Sequence, residues 1–395
     1  GVFRYDGKEF RNFQSEFGIT DKEIWSVYCD TDQDLIWIGT INDGLYLIMK
    51  NEITTFDAGY FDLKELQIND LFVDSKNTLW ISDNNELIRL FPDGQHSVLN
   101  KRPMTRAFQD YWRISPRKVL AAVDEVQRSL RTLDMSKLSE FEKETPFEFL
   151  RITEDDDNKI FFSNRFGIFS FADRTIDYHC SEGSEGFFEI MQKDTLILAG
   201  SGPAGFNSQF RDKSANIFLT KEDSLKNTTL FYPLESFSPD SEIHHVNKLV
   251  KHSNKIFYAT ASDGLWMTEG VKYINLTRSD STISSSLNDV CFTPQGSIIF
   301  ASNEGEIYIG NLVGKSLKIE HRLDYRNGLQ GNSINWLVVD KKGFLWAGSN
   351  IGLNCIDLNA LYSSNTYKIR FFDKEEGYFG QGSQNAAMDQ NGNLF

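Results

Sequence analysis

Cysteine and histidine are scarce in this chain of 395 residues, which holds only four cysteines and six histidines. The cysteines are Cys29, Cys180, Cys291 and Cys355. They show neither the short spacing of a metal site nor the density of a disulfide scaffold. The only adjacent histidines are His244 and His245, and neighbouring residues on a strand point to opposite faces, which is unfavourable for chelation. The sequence therefore predicts no metal site and no disulfide framework.

Long apolar runs and basic clusters are also missing. No run of about 18 or more apolar residues exists, so no segment of this chain is expected to span a membrane. The formal net charge is −15, and an acidic chain without Lys/Arg clusters is not expected to bind nucleic acid or anionic lipid. No signal peptide and no initiator Met are present, which is typical of a fragment whose targeting segment was removed or never included.

The common catalytic signatures do not occur. The chain has no Gly-x-Ser-x-Gly motif, no phosphate-binding loop and no dinucleotide fingerprint. No catalytic triad and no metal set can be assembled from its spacing. The sequence therefore predicts a region that is not an enzyme and needs no cofactor.

What the chain does have is an internal repeat. Its clearest copy runs from Val339 to Leu353, and related copies run from Val73 to Ser82 and from Leu35 to Thr40. Repeats of about 40 residues are typical of four-stranded propeller blades. Alignment on the Trp of these copies gives nine positions that lie 36 to 60 residues apart. They are Trp37, Trp80, Leu120, Phe161, Ile197, Phe257, Phe300, Trp346 and Phe395.

One copy shows how a unit is expected to fold. Apolar runs separated by Gly- and Asn-rich turns predict four strands, at Ile334 to Val339, Phe344 to Gly348, Leu353 to Leu358 and Tyr367 to Phe372. Such a sheet cannot bury both faces alone, so units stack around an axis. We therefore predict an all-β propeller of four-stranded antiparallel blades over residues 1–395. It has about nine to ten units, the first and last incomplete, with a division into two propeller parts near residues 180–243 left open.

The bulky residue of each second strand is expected to fill the space between neighbouring sheets, because large aromatics dominate core packing. The units around Leu120 and Ile197 lack this aromatic residue and are the weakest copies of the repeat. The predicted structural core consists of Trp37, Trp80, Phe161, Phe257, Phe300 and Trp346.

A second recurrent phrase marks the start of the inner strands. It is clearest at Asn332-Ser333-Ile334-Asn335-Trp336, and it lies on the face where the connections between blades converge on the axis. In one interpretation, its Asn and Ser side chains hold the turn through bonds to the backbone. In the other, these side chains approach a central pocket that suits a soluble, saccharide-like ligand. The candidate ligand-binding residues are Asn69, Asp70, Asn288, Asp289, Asn335 and Trp336.

These phrases resemble a known family. Asp340 to Ser349, followed by Gly352-Leu353-Asn354 and preceded by Gly328-Leu329, is similar to the two-component regulator propeller repeat of bacterial sensor histidine kinases. The resemblance implies a periplasmic, ligand-sensing and non-catalytic region of an inner-membrane receptor. It also implies a histidine kinase beyond Phe395, and it leaves open a homodimer formed through the full-length receptor. Two alternatives stay open: a propeller enzyme acting on polysaccharide as a lyase or hydrolase, and a propeller that serves as a protein-interaction scaffold.

Overall fold

A computed structural model describes most of the chain outside its middle third. The described residues are 2–19, 23–30, 35–49, 52–83, 86–99, 149–154, 158–164, 167–172, 175–180, 186–192, 195–200, 218–223, 228–233, 246–253, 255–269, 272–378, 386–388 and 394.

A hairpin of β1 (Phe3–Tyr5) and β2 (Phe10–Asn12) comes first and is followed by the short helix α1 (Phe13–Phe17). The described residues then form six four-stranded antiparallel sheets whose strands pair in chain order. The first sheet is β3 (Ile24–Asp30), β4 (Leu35–Thr40), β5 (Leu45–Met49) and β6 (Glu52–Phe56). The second is β7 (Ile68–Val73), β8 (Leu79–Asp83), β9 (Leu87–Leu90) and β10 (His96–Leu99). The third is β11 (Phe149–Glu154), β12 (Ile160–Asn164), β13 (Gly167–Ala172) and β14 (Thr175–Cys180).

Two two-stranded sheets come next along the chain. They are β15 (Gly186–Gln192) with β16 (Thr195–Gly200), and β17 (Phe218–Asp223) with β18 (Thr228–Pro233). The fourth four-stranded sheet is β19 (Val246–His252), β20 (Lys255–Thr260), β21 (Leu265–Glu269) and β22 (Lys272–Asn275). The fifth is β23 (Leu287–Phe292), β24 (Ile298–Ser302), β25 (Ile307–Val313) and β26 (Ser316–Leu323). The sixth is β27 (Ile334–Val339), β28 (Phe344–Ser349), β29 (Leu353–Asp357) and β30 (Ile369–Phe372).

Short helices occupy some of the connections. Two are 3-10 helices, at Ala58–Phe61 and Tyr325–Asn327. The α-helix α2 (Leu358–Ser364) follows β29 directly, so the third strand of this unit ends one residue earlier than the sequence predicted. The Asp357 side chain accepts a hydrogen bond from the backbone N–H of Ala360 at 2.9 Å, and this N-cap starts the helix.

The sheets are arranged in a ring, and the first strand of each sheet lies innermost, next to the first strands of its neighbours. Along the described residues β3 contacts β7, β7 contacts β11, β11 contacts β15, β15 contacts β19, β19 contacts β23 and β23 contacts β27. The hairpin β1–β2 lies between the last sheet and the first, because Tyr5 packs on Trp346 while Val2 clusters with Ile36 and Ile38. Tyr5 also pairs with Leu394, so the two ends of the chain meet there. The propeller of four-stranded blades predicted from the sequence is confirmed.

The units predicted around Leu120 and Phe395 lie outside the described residues. The sheet that starts at Phe149 packs directly on the second sheet, since the rings of Trp80 and Phe171 lie 5.5 Å apart. Ser75 Oγ also donates to Glu154 Oε1 at 2.7 Å across the same junction. These two sheets are therefore direct neighbours at that contact. The division of the chain near residues 180–243 stays a prediction.

A buried aspartate explains the most repeated part of the sequence phrase. Oδ1 of Asp340 accepts from the backbone N–H of Lys342 at 2.9 Å and of Phe344 at 2.8 Å, which fixes the turn between β27 and β28. Its other oxygen, Oδ2, accepts from Nε1 of Trp346 at 3.1 Å. One carboxylate thus couples the turn to the large core residue of the next strand. We call this arrangement the Asp–Trp clamp.

The second sheet contains the same clamp. Asp74 Oδ1 accepts from the backbone N–H of Lys76 and Thr78, and Oδ2 accepts from Trp80 Nε1 at 2.8 Å. The turn residue Asn77 has φ 60°, whereas the matching residue in the sixth sheet is a glycine with φ 84°. Asparagine tolerates this left-handed conformation better than most residues, so both sequences can form the turn. The six aromatic residues predicted as the structural core are all buried: Trp37, Trp80, Phe161, Phe257, Phe300 and Trp346.

Candidate functional site

A β-bulge recurs at the start of the inner strand in all six four-stranded sheets. In β3 the pairing with β4 jumps from Ile24 to Ser26, and in β27 the pairing with β28 jumps from Ile334 to Trp336. The second residue of each strand is therefore skipped and released from the ladder. We call the skipped residues the bulge ring, because the inner strands surround the axis. They are Trp25, Asn69, Leu150, Asn247, Asn288 and Asn335.

Two asparagines of the bulge ring join neighbouring blades. Asn247 Nδ2 donates to the backbone oxygen of Leu287 at 2.8 Å, and Asn288 Nδ2 donates to that of Ile334 at 2.9 Å. Each acceptor is the first inner-strand residue of the following sheet. These bonds tie one inner strand to the next around the axis. They agree with the interpretation in which the recurrent phrase holds the junction between blades.

Asp289 follows the bulge in β23 and is a buried link between blades. Its side chain is 3% exposed, and Oδ2 accepts from the backbone N–H of Leu337 in the next inner strand at 2.7 Å. Oδ1 accepts from the N–H of Val290 at 2.8 Å and lies 4.0 Å from Lys248 Nζ. Burial raises the pKa of Asp289, and Lys248 and the two backbone donors only partly oppose that rise. The side chain is enclosed and is not open to a ligand.

This raised pKa predicts how the stability of the protein depends on pH. For an acid whose pKa is higher in the folded state, the folded state holds more protons, so the free energy of unfolding falls as pH rises from the unfolded pKa, about 3.9, through the folded value. Stability from this group is full at lower pH and is lost above that window. In Asp289→Asn the falling contribution should disappear. Urea unfolding of both proteins from acid to neutral pH gives their free energies of unfolding. The unaltered protein should lose stability relative to the variant as pH rises, and a difference between the two free energies that stays constant or grows with pH would contradict the assignment.

Trp336 is also buried, with 5% of its surface exposed. Its indole lies against Gly348, where an added Cβ would meet Trp336 Cε2 at 2.1 Å, so the glycine makes room for the ring. The side chain belongs to the same apolar cluster as Tyr5 and Trp346. The sequence pattern predicts Trp336 as a ligand-binding residue. The structure places it in the core between the last sheet and the N-terminal hairpin.

The remaining predicted ligand-binding residues are partly exposed. Asn69 and Asn335 are half-buried members of the bulge ring, and Asp70 is the half-buried residue that follows the bulge in β7. Asn335 Oδ1 accepts from Ser333 Oγ at 3.0 Å. The structure therefore keeps Asn69, Asn288 and Asn335 on one ring and separates them from the enclosed Asp289 and Trp336.

Trp25 occupies the bulge ring position of the first sheet and is not among the ligand-binding residues predicted from the sequence. Trp25 follows Ile24 in β3 as Asn288 follows Leu287 in β23, so the two positions are equivalent. The Trp25 side chain is nevertheless 61% exposed, whereas Asn288 is half-buried. The backbone N–H of Ile41, in the turn between β4 and β5, donates to the backbone oxygen of Glu23 at 3.2 Å. This bond holds the start of β3, and Trp25 with it, beside that turn. Alignment of the inner strands alone could have found it, because asparagine occupies this position in most of the others.

Two other kinds of site, a metal centre and a membrane span, have no candidate in the described parts of the chain. No group of three or more His, Cys, Asp or Glu side chains there could hold a metal ion. Among those same residues, no helix is long and apolar enough to cross a membrane.

The family model of the two component regulator propeller matches residues 328–350. The match runs from the connection after the fifth sheet through β27 and the Asp–Trp clamp to the end of β28. The resemblance predicted from the sequence is thus confirmed at this repeat.

Solved structures match the chain at low sequence identity. The extracellular domain named as a hybrid two component system from B. thetaiotaomicron is 12% identical, with a TM-score of 0.36 and coverage of 98% of this chain and 56% of that one. This chain therefore spans about half the length of that domain. The Dos1 propeller is 11% identical, with a TM-score of 0.54 and coverage of 94% of this chain and 93% of that one, which agrees with the propeller fold.

Two further similarities come from other kinds of protein. Virginiamycin B lyase from Staphylococcus aureus is 11% identical, with a TM-score of 0.44 and coverage of 96% of this chain and 95% of that one. The adhesin AWP2 of Candida glabrata is 23% identical over 205 residues, which cover 48% of this chain and 23% of the adhesin. A shared fold does not by itself define a function.

Proposed function

We propose that this chain is the ligand-sensing propeller region of a two-component signal-transduction receptor and that it lies outside the cytoplasm. The observation that carries the proposal is the regulator propeller repeat at residues 328–350. That repeat also includes the inner strand, the bulge and the clamp that recur in other sheets. The matched repeat is therefore part of the blade itself and not an added motif, which supports the proposal.

A sensor needs a ligand whose binding changes the relative stability of two arrangements. The bulge ring supplies half-buried polar groups on one face, with Asn288 and Asn335 on adjacent inner strands. Amide side chains can donate and accept hydrogen bonds at once, which suits the hydroxyl groups of a sugar. We therefore propose a soluble, saccharide-like ligand at this face.

The region is proposed to bind without turnover. Calorimetric titration of the protein with neutral hexasaccharides of glucose, mannose, galactose and xylose, followed by chromatography of the sugars, tests both parts. We expect heat of binding from at least one sugar and no new product. Cleaved product would favour the alternative of a propeller lyase or hydrolase. Binding of a protein partner with no response to any sugar would favour the scaffold alternative.

The wider architecture is proposed from the family resemblance. A histidine kinase is expected in the same reading frame, and the receptor is expected to signal as a homodimer from the inner membrane with this region in the periplasm. Sequencing of the complete reading frame tests the kinase, and a frame that encodes no kinase would contradict the receptor assignment even if a sugar binds.

A further inference from the structure

Trp25 differs from every other tryptophan side chain that the structure describes. The others are all buried: Trp37, Trp80, Trp266, Trp336 and Trp346. The partly buried neighbours of Trp25 in β3, Ile24, Val27 and Cys29, pack against an apolar cluster between the first sheet and the N-terminal hairpin. The bulge at Trp25 releases the indole from this inward packing. A large apolar ring is thus presented to solvent by a rigid strand.

Position separates Trp25 from an ordinary exposed aromatic residue. A single exposed hydrophobic side chain usually needs no explanation. Trp25, however, occupies the ring position at which Asn247 and Asn288 reach across to the next blade. A tryptophan side chain has no amide with which to make that inter-blade bridge. The first sheet therefore places a flat apolar surface where those two sheets place a side-chain amide that donates a hydrogen bond to the next blade.

The chemistry of the ring points to a neutral ligand. The five members whose side chains the structure describes are one tryptophan and four asparagines, and none of these side chains carries a charge. The chain as a whole has a formal net charge of −15, which disfavours anionic ligands. A sugar ring has an apolar C–H face that can lie on an indole, while its hydroxyl groups bond to amides and backbone groups.

We propose that Trp25 is the stacking platform for one ring of an uncharged saccharide at the bulge ring. The proposal rests on the sensor function proposed above and adds to it a specific residue and the neutral charge of the ligand. An indole offers a large apolar contact area but few directional hydrogen bonds. Trp25 would therefore supply affinity, and the hydrogen bonds of the neighbouring amides would select among sugars.

The binding experiment compares variants of the intact chain against the same neutral hexasaccharides, with a heparin-derived hexasaccharide as the charged comparison. Trp25→Ala should weaken binding of the neutral sugar by about tenfold, and Trp25→Phe should retain part of it. Tyr325→Ala is the matched control, because Tyr325 is 78% exposed but follows β26, the outer strand of its sheet, away from the inner strands. Its affinity should equal that of the unaltered protein.

Fluorescence quenching provides a direct reading at Trp25. Trp112 lies outside the described residues and is replaced by phenylalanine in both proteins that are compared. Acrylamide should then quench mainly Trp25, since the other described indoles are buried. The neutral sugar should protect this signal, and Trp25→Phe should abolish both the quenching and the protection.

Each other outcome overturns a defined part of the inference. Equal affinity of Trp25→Ala for the neutral sugar would reject Trp25 as the platform and leave the sensor function standing. Binding of the heparin-derived sugar alone would reject the neutral ligand. Binding of no sugar would reject the saccharide platform, while the kinase test in the reading frame would still decide the receptor assignment separately.

Discussion

Replacing Trp346 with alanine should lower the free energy of unfolding by about 3–5 kcal/mol, the usual cost of truncating a large aromatic residue in a core. The side chain is 4% exposed. Its ring lies 5.0 Å from that of Tyr5 and 5.9 Å from that of Phe372. Truncation would leave a cavity where the last sheet meets the N-terminal hairpin. The contact that closes the ring of blades would then be weaker.

Urea unfolding followed by circular dichroism measures this loss. Trp25→Ala is the control, because Trp25 is 61% exposed and its removal should change the free energy of unfolding by no more than about 0.5 kcal/mol. Removal of the Trp346 side chain should therefore destabilise the protein strongly, whereas removal of the Trp25 side chain should leave its stability nearly unchanged. An unchanged midpoint for Trp346→Ala would mean that this residue is not a core residue and would remove the basis of the repeat alignment.

The repeat made the fold predictable from the sequence. Each clamp lies within one short segment, because Asp340 and Trp346 are joined by a turn and a strand. A local pattern of this kind is visible in the sequence wherever it recurs. The end of β29 was less predictable, because Leu358 is apolar enough to continue a strand, whereas Asp357 caps a helix at that point.

The candidate site was predictable only in part. Asp289 is enclosed because it accepts from Leu337, 48 residues away in the next blade, and no pattern within one repeat shows that distance. Trp336 is buried because Gly348 on the neighbouring strand leaves space for its indole. Both facts depend on contacts between strands, whereas the sequence showed only that polar and aromatic residues follow the inner-strand turn.

The bulge was the decisive feature that the sequence did not show. A skipped residue changes which side chains share a face of the strand, so Asn288 and Asp289 have different surroundings although they are adjacent. Asn288 bonds to the backbone oxygen of Ile334, and Asp289 is buried against Leu337. The single pocket predicted for both residues is thus divided into an open ring and an enclosed junction. This division also brings Trp25 into the ring.

Replacing Asp340 with alanine should cost about 2 kcal/mol or more, because it leaves three donors without their acceptor. These donors are the backbone N–H groups of Lys342 and Phe344 and Nε1 of Trp346. The carboxylate is buried, so water cannot easily replace it. Asp93→Ala is the matched control, since Asp93 is exposed and accepts from the N–H of Gln95 in its turn. Its change should stay within about 0.5 kcal/mol.

A double-mutant cycle separates the clamp from the turn. Trp346→Phe removes the indole donor and keeps most of the ring, so Asp340→Ala should cost less in that background than in the unaltered protein. The expected coupling energy is about 1 kcal/mol, within the range measured for residues in contact. Additive effects would show that Asp340 stabilises only its own turn. The repeated spacing of Asp and Trp would then reflect two independent needs, one for a turn acceptor and one for a core residue.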